Sequence, residues 1–186
     1  MKKFTFMLLV LMLIYGILAT VGSIIVEYRN RKWLEKTCQL NLQQLGKGFV
    51  IYLLDIGGQK DFPDRNGQGF LLSLYDNRII VEKDVYLCRM TKDTNSEQEL
   101  KNAPDNGDAS GPVSYAGRKN ANSRVYPGLF NVNDDVSTTP IVSDDIGEPY
   151  NNHSDGKASN FLFFDLHVDM KYKGETDFPN LDVLAN

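Results

Sequence analysis

Side chains that commonly carry chemistry are scarce in this sequence. Among 186 residues there are two cysteines and two histidines, and the cysteines do not form a C-x-x-C pair. No serine lies in a G-x-S-x-G sequence, and no glycine-rich phosphate-binding loop follows a predicted strand. A nucleophilic hydrolase and a nucleotide-binding enzyme are therefore not indicated, and we expect a protein without enzymatic activity.

Charged side chains are absent from residues 4–26, a run of 23 residues. About 20 helical residues cross the hydrocarbon core of a bilayer, so this segment is long enough to span a membrane once. We therefore predict a transmembrane anchor at residues 1–26. The alternative is a cleaved signal peptide with Lys2 and Lys3 as its basic start, although the apolar run exceeds the about 7–15 residues usual there.

No second apolar run of this length follows the anchor. Residues 27–186 contain 18 basic and 24 acidic residues, a net charge of −6. This size suits one compact domain with a hydrophobic core. Because the domain is acidic and has no basic stripe interleaved with aromatic residues, we expect no nucleic-acid partner.

An amphipathic stripe follows the anchor without an intervening proline. Its apolar residues recur at spacings of three and four, which is typical of one face of a helix. They are Leu34, Cys38, Leu42, Leu45, Phe49 and Tyr52. The anchor and the stripe together predict one helix to about residue 54, roughly 75 Å long at 1.5 Å per residue, which Gly57 and Gly58 end.

Short apolar runs separated by turn residues follow the helix, as in small antiparallel sheets with long loops. Strands are predicted at residues 78–82, 85–89, 113–116, 140–143, 160–165 and 167–172. Residues 91–111 are rich in polar residues and glycine, and are predicted to be a solvated loop. The predicted fold class is α+β, with the long helix packed on a small antiparallel sheet.

The sequence SNFLFFDLHVDMKY, at residues 159–172, predicts a hairpin with Asp165 and Leu166 at the centre of its turn. This register pairs Phe163 with Val168. It places four apolar side chains on one face, those of Phe161, Phe163, Val168 and Met170. A two-residue type I′ turn needs positive φ at both central positions, which costs Leu166 about 1 kcal/mol.

The two cysteines favour a disulfide. Cys38 lies on the amphipathic stripe, and Cys88 ends the apolar run DVYLC. In an oxidising compartment they are expected to link the helix to the sheet and to close a loop of about 50 residues, worth some 4 kcal/mol. The alternative is a pair of buried thiols.

Residues 36–64, KTCQLNLQQLGKGFVIYLLDIGGQKDFPD, resemble a stretch of bacterial pseudopilin-like proteins in the type II secretion and type IV pilin superfamily. That stretch follows the membrane helix and has the pattern C..NLKQLG.A...Y..D..G.FP. The matching positions are Cys38, Asn41, Leu42, Gln44, Leu45, Gly46, Tyr52, Asp55, Gly58, Phe62 and Pro63.

The resemblance continues in order towards the carboxyl terminus. SYAG and TTPIVSD resemble two strands of the same group, and NHSDGKASNFLFFDLHV resembles its prepilin-type processing-associated H-x9-DG box. The motif residues of this box are His153, Asn160, Asp165 and His167. Eleven residues rather than nine separate His153 from Asp165, and Leu166 replaces the glycine of the motif.

The amino terminus also departs from the family pattern. Lys3, Phe4 and Thr5 match part of the leader, and the resemblance implies cleavage by a prepilin peptidase between Lys3 and Phe4. However, the glycine before the cleavage position is absent, and Leu8 replaces the glutamate that would pair with the amino terminus of a neighbouring subunit. Processing and filament assembly are the two properties that this difference puts in question.

Two sets of side chains are candidate metal ligands. His153, Asp165 and His167 offer imidazole and carboxylate groups, as a metal-dependent hydrolase requires, but the last two are also ordinary hairpin residues. The segment NVNDDVSTTPIVSDD offers carboxylates that suit calcium, from Asp134, Asp135, Asp144 and Asp145. Its spacing is not that of an EF-hand, so we interpret it as a solvated acidic loop and predict no cofactor.

The resemblance implies a single-pass protein of the bacterial cytoplasmic membrane, with residues 27–186 as a pilin-like extracytoplasmic domain. Its expected function is that of a non-enzymatic, pseudopilin-like subunit or accessory of a type II secretion or pilus-type system. Its N-terminal helix would contact other pilin-like subunits. The alternative is a stand-alone anchored domain that binds a glycan or a peptide, with Tyr126, Phe130 and Tyr150 as candidate contacts.

Overall fold

The computed structural model describes residues 2–58, 62–91, 93–103, 112–118, 137–144, 153, 157–177, 179 and 184–185. The helices are α1 (Lys2–Asp55), α2 (Gln68–Asp76), a 3₁₀ helix (Lys83–Tyr86) and α3 (Glu97–Asn102). The strands are β1 (Tyr115–Arg118), β2 (Pro140–Asp144), β3 (Ala158–Phe163), β4 (Val168–Tyr172) and β5 (Leu184–Ala185). The predicted α+β layout, a long helix with a small antiparallel sheet, is confirmed.

Helix α1 runs without interruption for 54 residues, so the prediction of one long helix is confirmed. Residues 10–30 are exposed throughout, and within the described part of the chain α1 is the one helix long and apolar enough to cross a membrane. Further along, the side chains of Cys38, Leu42, Leu45 and Phe49 are fully buried. The same helix thus presents an apolar surface in its first half and forms the core of the domain in its second.

The five strands form one antiparallel sheet in the order β4-β3-β2-β1-β5. One face of the sheet joins the main core, which contains Leu162 and Phe164 together with the buried stripe of α1. The other face carries a smaller apolar cluster of Ala116, Phe161, Phe163 and Leu184. The sheet is therefore apolar on both faces, and only one of them packs on α1.

Aromatic rings from four segments fill the main core. Phe49 of α1 stacks on Phe70 of α2, with ring centroids 4.5 Å apart. Phe62 lies edge-on to Phe164, with centroids 5.2 Å apart. Such ring pairs contribute roughly 0.5–1.5 kcal/mol each beyond their burial. They join α1, α2 and the end of β3 into one packed unit.

Two of the predicted strands are wrong. Helix α2 ends at Asp76, and the backbone amides of Ile79 and Ile80 then donate to the carbonyl oxygen of Leu74. Within residues 85–89, the side chain of Asn41 donates to the carbonyl oxygen of Leu87, at 2.9 Å. These backbone groups pair with a helix end or with a side chain, so residues 78–82 and 85–89 lie outside the sheet.

The predicted solvated loop at residues 91–111 is wrong where α3 forms. Ser96 caps this helix, because its hydroxyl accepts from the Glu99 amide at 3.3 Å and donates to the Glu99 carboxylate at 2.8 Å. The S-x-x-E spacing is that of a capping box, but the Glu99 carboxylate accepts from the serine hydroxyl and not from the Ser96 amide. The side chain of Leu100, 1% exposed, anchors α3 in the main core.

The hairpin between β3 and β4 forms in a register that is shifted by one residue from the predicted one. The Phe163 amide donates to the His167 carbonyl at 3.0 Å, and the Leu166 amide donates to the Phe163 carbonyl at 2.9 Å. The loop therefore has three residues, and only Leu166 has positive φ, +69°. A three-residue loop of this kind needs one left-handed residue where the predicted type I′ turn needs two.

This register changes which side chains share a face. Leu162 pairs with Val168, and Phe161 pairs with Asp169. Val168 therefore packs with Leu162 against the main core, whereas Phe161 and Phe163 lie on the other face. The predicted face of four apolar side chains is wrong, because a shift of one residue reverses the side on which each residue of β4 lies.

Leu166 provides a test of this loop. We expect Leu166→Gly to be more stable than Leu166→Ala by about 1 kcal/mol, because both remove the leucine side chain and only glycine relieves the left-handed strain. The measurement is urea denaturation of the full chain in detergent micelles, followed by circular dichroism. If alanine equals or exceeds glycine, position 166 does not adopt positive φ.

Candidate functional site

Three polar side chains meet inside the domain, at the ends of β2 and β3. Asp144 ends β2, Asn160 lies in β3, and His153 forms a β-bridge with Ala158 at the start of β3. All three side chains are fully buried. Polar groups are costly to bury unpaired, so these side chains are expected to contact one another. We call Asp144, His153 and Asn160 the polar cluster.

The carboxylate of Asp144 is the centre of the polar cluster. Its Oδ2 lies 2.6 Å from Nε2 of His153. The backbone amide of Asn160 donates to Oδ1, and the side-chain amide of the same residue donates to Oδ2, both at 2.6 Å. Three donors from two chain segments thus hold one carboxylate in place, and charge-assisted bonds of this kind are stronger than neutral ones.

The polar cluster is connected to α1 on one side and to a disulfide on the other. Gln39 of α1 donates to Oδ1 of Asn160 at 3.0 Å. Nε2 of His153 lies 3.4 Å from Sγ of Cys88. The side chains named by the family resemblance, His153 and Asn160, therefore sit where the helix, the sheet and the disulfide meet.

Cys38 and Cys88 form a disulfide, with Cα atoms 4.9 Å apart, as predicted. The predicted link from the helix to the sheet is wrong, because Cys88 lies outside the strands. The backbone amide of Arg89 donates to Sγ of Cys38 at 3.0 Å. Close by, Asn41 of α1 donates to the carbonyl oxygens of Asp84 and Leu87. One covalent bond and several hydrogen bonds thus attach α1 to the 3₁₀ helix and to the segment that follows it.

Burial raises the pKa of the Asp144 carboxyl group, and the hydrogen bond and charge of His153 together with the bonds from Asn160 oppose this rise. Burial is the larger effect, so the pKa lies above the ordinary aspartate value of 3.8. Nδ1 of His153 has no hydrogen-bond partner among the described residues. Every member of the polar cluster is buried, and its contacts join the end of β2 to β3 and to His153.

The other two motif residues of the H-x9-DG box lie at the exposed tip of the hairpin. Nδ1 of His167 is 2.5 Å from Oδ1 of Asp165, and the His167 ring stacks on Phe163 with centroids 4.4 Å apart. His153 lies at the opposite end of β3, which at about 3.3 Å per residue is roughly 20 Å long. The structure therefore does not bring His153, Asp165 and His167 together as a three-ligand metal site.

The predicted acidic loop is only partly described. Asp144 belongs to the buried polar cluster, where His153 and Asn160 occupy its oxygens. Asp134, Asp135 and Asp145 lie outside the described residues, as do Tyr126, Phe130 and Tyr150. At the amino terminus, Lys3 and Phe4 belong to α1, and the side chain of Phe4 is exposed.

Sequence reasoning placed Asp144 in a solvated loop and missed its contact with His153. One signal was present. The strand PIVSD carries its aspartate directly after buried apolar residues, where an unpaired carboxylate would be costly. An aspartate in that position indicates a buried partner, and His153 is that partner.

Comparison with protein-family models, with curated proteins and with solved structures finds no match to this chain.

Asp144 predicts the pH dependence of folding. A carboxyl group whose pKa is raised by folding stabilises the folded state fully below its unfolded pKa, and this stability is lost as the pH rises through the folded pKa. The free energy of unfolding of the wild type minus that of Asp144→Asn should therefore fall as the pH rises from 3.8 towards the raised pKa. The measurement is urea denaturation of the full chain in micelles across this range.

A matched control is Asp165→Asn, which makes the same replacement at the exposed hairpin tip. The prediction is contradicted if the free energy of unfolding of the wild type minus that of Asp144→Asn increases with pH over this range. That result would show that charge pairing with His153 outweighs burial.

The disulfide gives a second prediction about stability. It spans a sequence separation of 50 residues, for which the chain-entropy model gives roughly 4 kcal/mol. Reduction in the presence of a metal chelator should lower the free energy of unfolding by about that amount, measured by urea denaturation in micelles. The double variant Cys38→Ser/Cys88→Ser serves as the control and should not respond to reductant.

Proposed function

We propose that this protein is a membrane-anchored, pseudopilin-like subunit or accessory of a type II secretion or pilus-type system, without enzymatic activity. The observation that carries the proposal is the single uninterrupted helix α1. Its first half is exposed and apolar, and its second half is the core of the domain. A continuous helix joins a membrane anchor rigidly to the domain. This suits a subunit that must hold its domain in a defined position relative to its neighbours in the membrane.

The residues that carry the family resemblance support the proposal through what they contact. Asn41 donates from α1 to the 3₁₀ helix and to the segment after it, and Phe62 packs in the aromatic core. Tyr115 is buried and donates from its hydroxyl to the carbonyl oxygen of Leu87 at 3.1 Å. His153 and Asn160 belong to the polar cluster. These residues hold α1 to the rest of the domain, which is a structural role.

The side of α1 that faces away from the core supports contacts with neighbouring subunits. Trp33, Leu40, Ile51 and Leu54 are exposed there. At 100° per residue they fall on one side of the helix, opposite the buried stripe that runs from Cys38 to Leu53. We propose that other pilin-like subunits pack laterally along this side.

The disulfide supports an extracytoplasmic domain. Disulfides persist in oxidising compartments and are rare in the cytosol. An anchor at the amino terminus with the oxidised domain beyond it corresponds to a single-pass protein of the bacterial cytoplasmic membrane, with residues 27–186 outside. We include this orientation in the proposal.

A second candidate function is that of a stand-alone anchored domain that binds a glycan or a peptide. Leu8 favours it, because leucine lacks the carboxylate that pairs with a neighbouring amino terminus in pilin assembly. The two candidates differ in what the exposed side of α1 contacts in a membrane.

Site-specific photo-crosslinking of the full chain in native membranes separates these candidates. A photoreactive residue at position 40 lies on the exposed side of α1, and one at position 172 is a matched control, because Tyr172 is 42% exposed and Leu40 is 45% exposed. We expect adducts with pilin-like subunits or with a second copy from position 40 only. Equal adducts from both positions, or none from position 40, would contradict lateral assembly through α1.

Mass spectrometry of the mature amino terminus gives an independent measurement. A chain that begins at a methylated Phe4 indicates processing and supports assembly. A chain that retains Met1 and gives no adduct from position 40 supports the stand-alone anchored domain.

A further inference from the structure

Three metal-ligating side chains converge at the junction of α1 and the sheet, and the carboxylate of Asp144 contacts one of them. Sγ of Cys38, Sγ of Cys88 and a ring nitrogen of His153 all lie within 4.8 Å of one another, and all three residues are buried. Oδ2 of Asp144 lies 2.6 Å from Nε2 of the same histidine. The four residues come from four separate parts of the chain, so only the folded domain brings them together.

We infer that in the reduced protein these four side chains bind a zinc ion. The disulfide and the zinc complex are then alternative states of the same two cysteines. Two thiolates, one imidazole and one carboxylate are a donor set that tetrahedral Zn²⁺ accepts. With Zn–S of about 2.3 Å and Zn–N of about 2.0–2.1 Å, tetrahedral geometry places sulfur and nitrogen about 3.5 Å apart. Sγ of Cys88 and Nε2 of His153 are 3.4 Å apart in the oxidised protein.

The surroundings of the four ligands are those of a supported metal site. The Arg89 amide already donates to Sγ of Cys38 at 3.0 Å, an interaction that also stabilises a thiolate. Asn160 orients the Asp144 carboxylate through two hydrogen bonds, and Gln39 in turn orients Asn160. Outer hydrogen bonds of this type fix ligand geometry and raise metal affinity about 10–100-fold.

Small movements separate the two states. In a tetrahedral zinc site the two sulfur atoms lie about 3.8 Å apart, so the covalent bond between them must open to that distance. The histidine nitrogen and the aspartate oxygen must move from 2.6 Å to about 3.4 Å apart. For each of these two pairs the displacement is about 1 Å or less per atom. The backbone links between α1 and the sheet are then kept in both states.

The chemistry balances with a dithiol as the reductant. The dithiol transfers two electrons and two protons to the Cys38–Cys88 bond, leaving two protein thiols and an oxidised dithiol. Zn²⁺ then binds both sulfurs and Nε2 of His153. The two thiol protons pass to solvent, and the proton that Nε2 donated to Asp144 moves to Nδ1 or to solvent. Oxidation of the two thiolates reverses the process and releases the metal.

This inference does not rest on the proposed assembly function. It predicts that the reduced full chain, in detergent micelles under anaerobic conditions, binds one equivalent of Zn²⁺ in competition with a chromophoric chelator. The oxidised chain should bind none at this site. Co²⁺ in place of Zn²⁺ should give the thiolate charge-transfer absorption and the visible bands of tetrahedral cobalt only in the reduced chain.

Two variants locate the site. His153→Gln should weaken zinc binding by more than about 100-fold, since loss of a ligand exceeds the effect of outer hydrogen bonds. His167→Gln removes the exposed histidine and should leave binding unchanged. The comparison of reduced and oxidised wild type keeps the test decisive even where a variant folds poorly.

Three outcomes overturn the inference. They are stoichiometric zinc binding that is equal in the oxidised and reduced chains, a cobalt spectrum without thiolate bands, and a reduced chain that binds no zinc.

Discussion

The second half of α1 must bury one apolar stripe, and most of the domain is arranged to cover it. Leu42, Leu45 and Phe49 are fully buried there, and at roughly 25 cal/mol per Å² of apolar surface their removal from water is a dominant stabilising term. The first half of the same helix is exposed and apolar. Because α1 is continuous, the elements that cover its second half also determine how the domain is attached to its apolar first half.

Hydrophobic burial alone does not specify where the sheet lies on this helix, because apolar contact has little directional preference. The disulfide and the polar cluster supply that direction. The disulfide joins position 38 of α1 to position 88, and Gln39, the next residue of α1, reaches the polar cluster through Asn160. In a low-dielectric interior each unpaired member of such a cluster would be costly, so the contacts among Asp144, His153 and Asn160 select one register.

The parts of the fold that were not predicted have a common cause. Residues 78–82 and 85–89 have the composition of strands, but their backbone groups pair with the end of α2 and with Asn41. The hairpin register was misplaced by one residue, since the strand pattern fits both registers and the loop geometry at Leu166 decides between them. The pairing of β2 with β3 brings Asp144 next to His153. The hairpin tip at Asp165 follows His153 in the same sequence motif, yet the fold keeps the two apart.

Local patterns in the sequence predicted the length of α1, its uncharged first half and its buried stripe, and they favoured a bond between the two cysteines. Those properties follow from local periodicity, from the length of an uncharged run and from the presence of only two thiols. Contacts in the tertiary structure were needed to show which side chain pairs with His153, which face of β3 covers α1, and that Cys38, Cys88 and His153 lie within 4.8 Å of one another. These depend on contacts between residues distant in sequence, and they are selected because a polar group buried without a partner is costly in a packed interior.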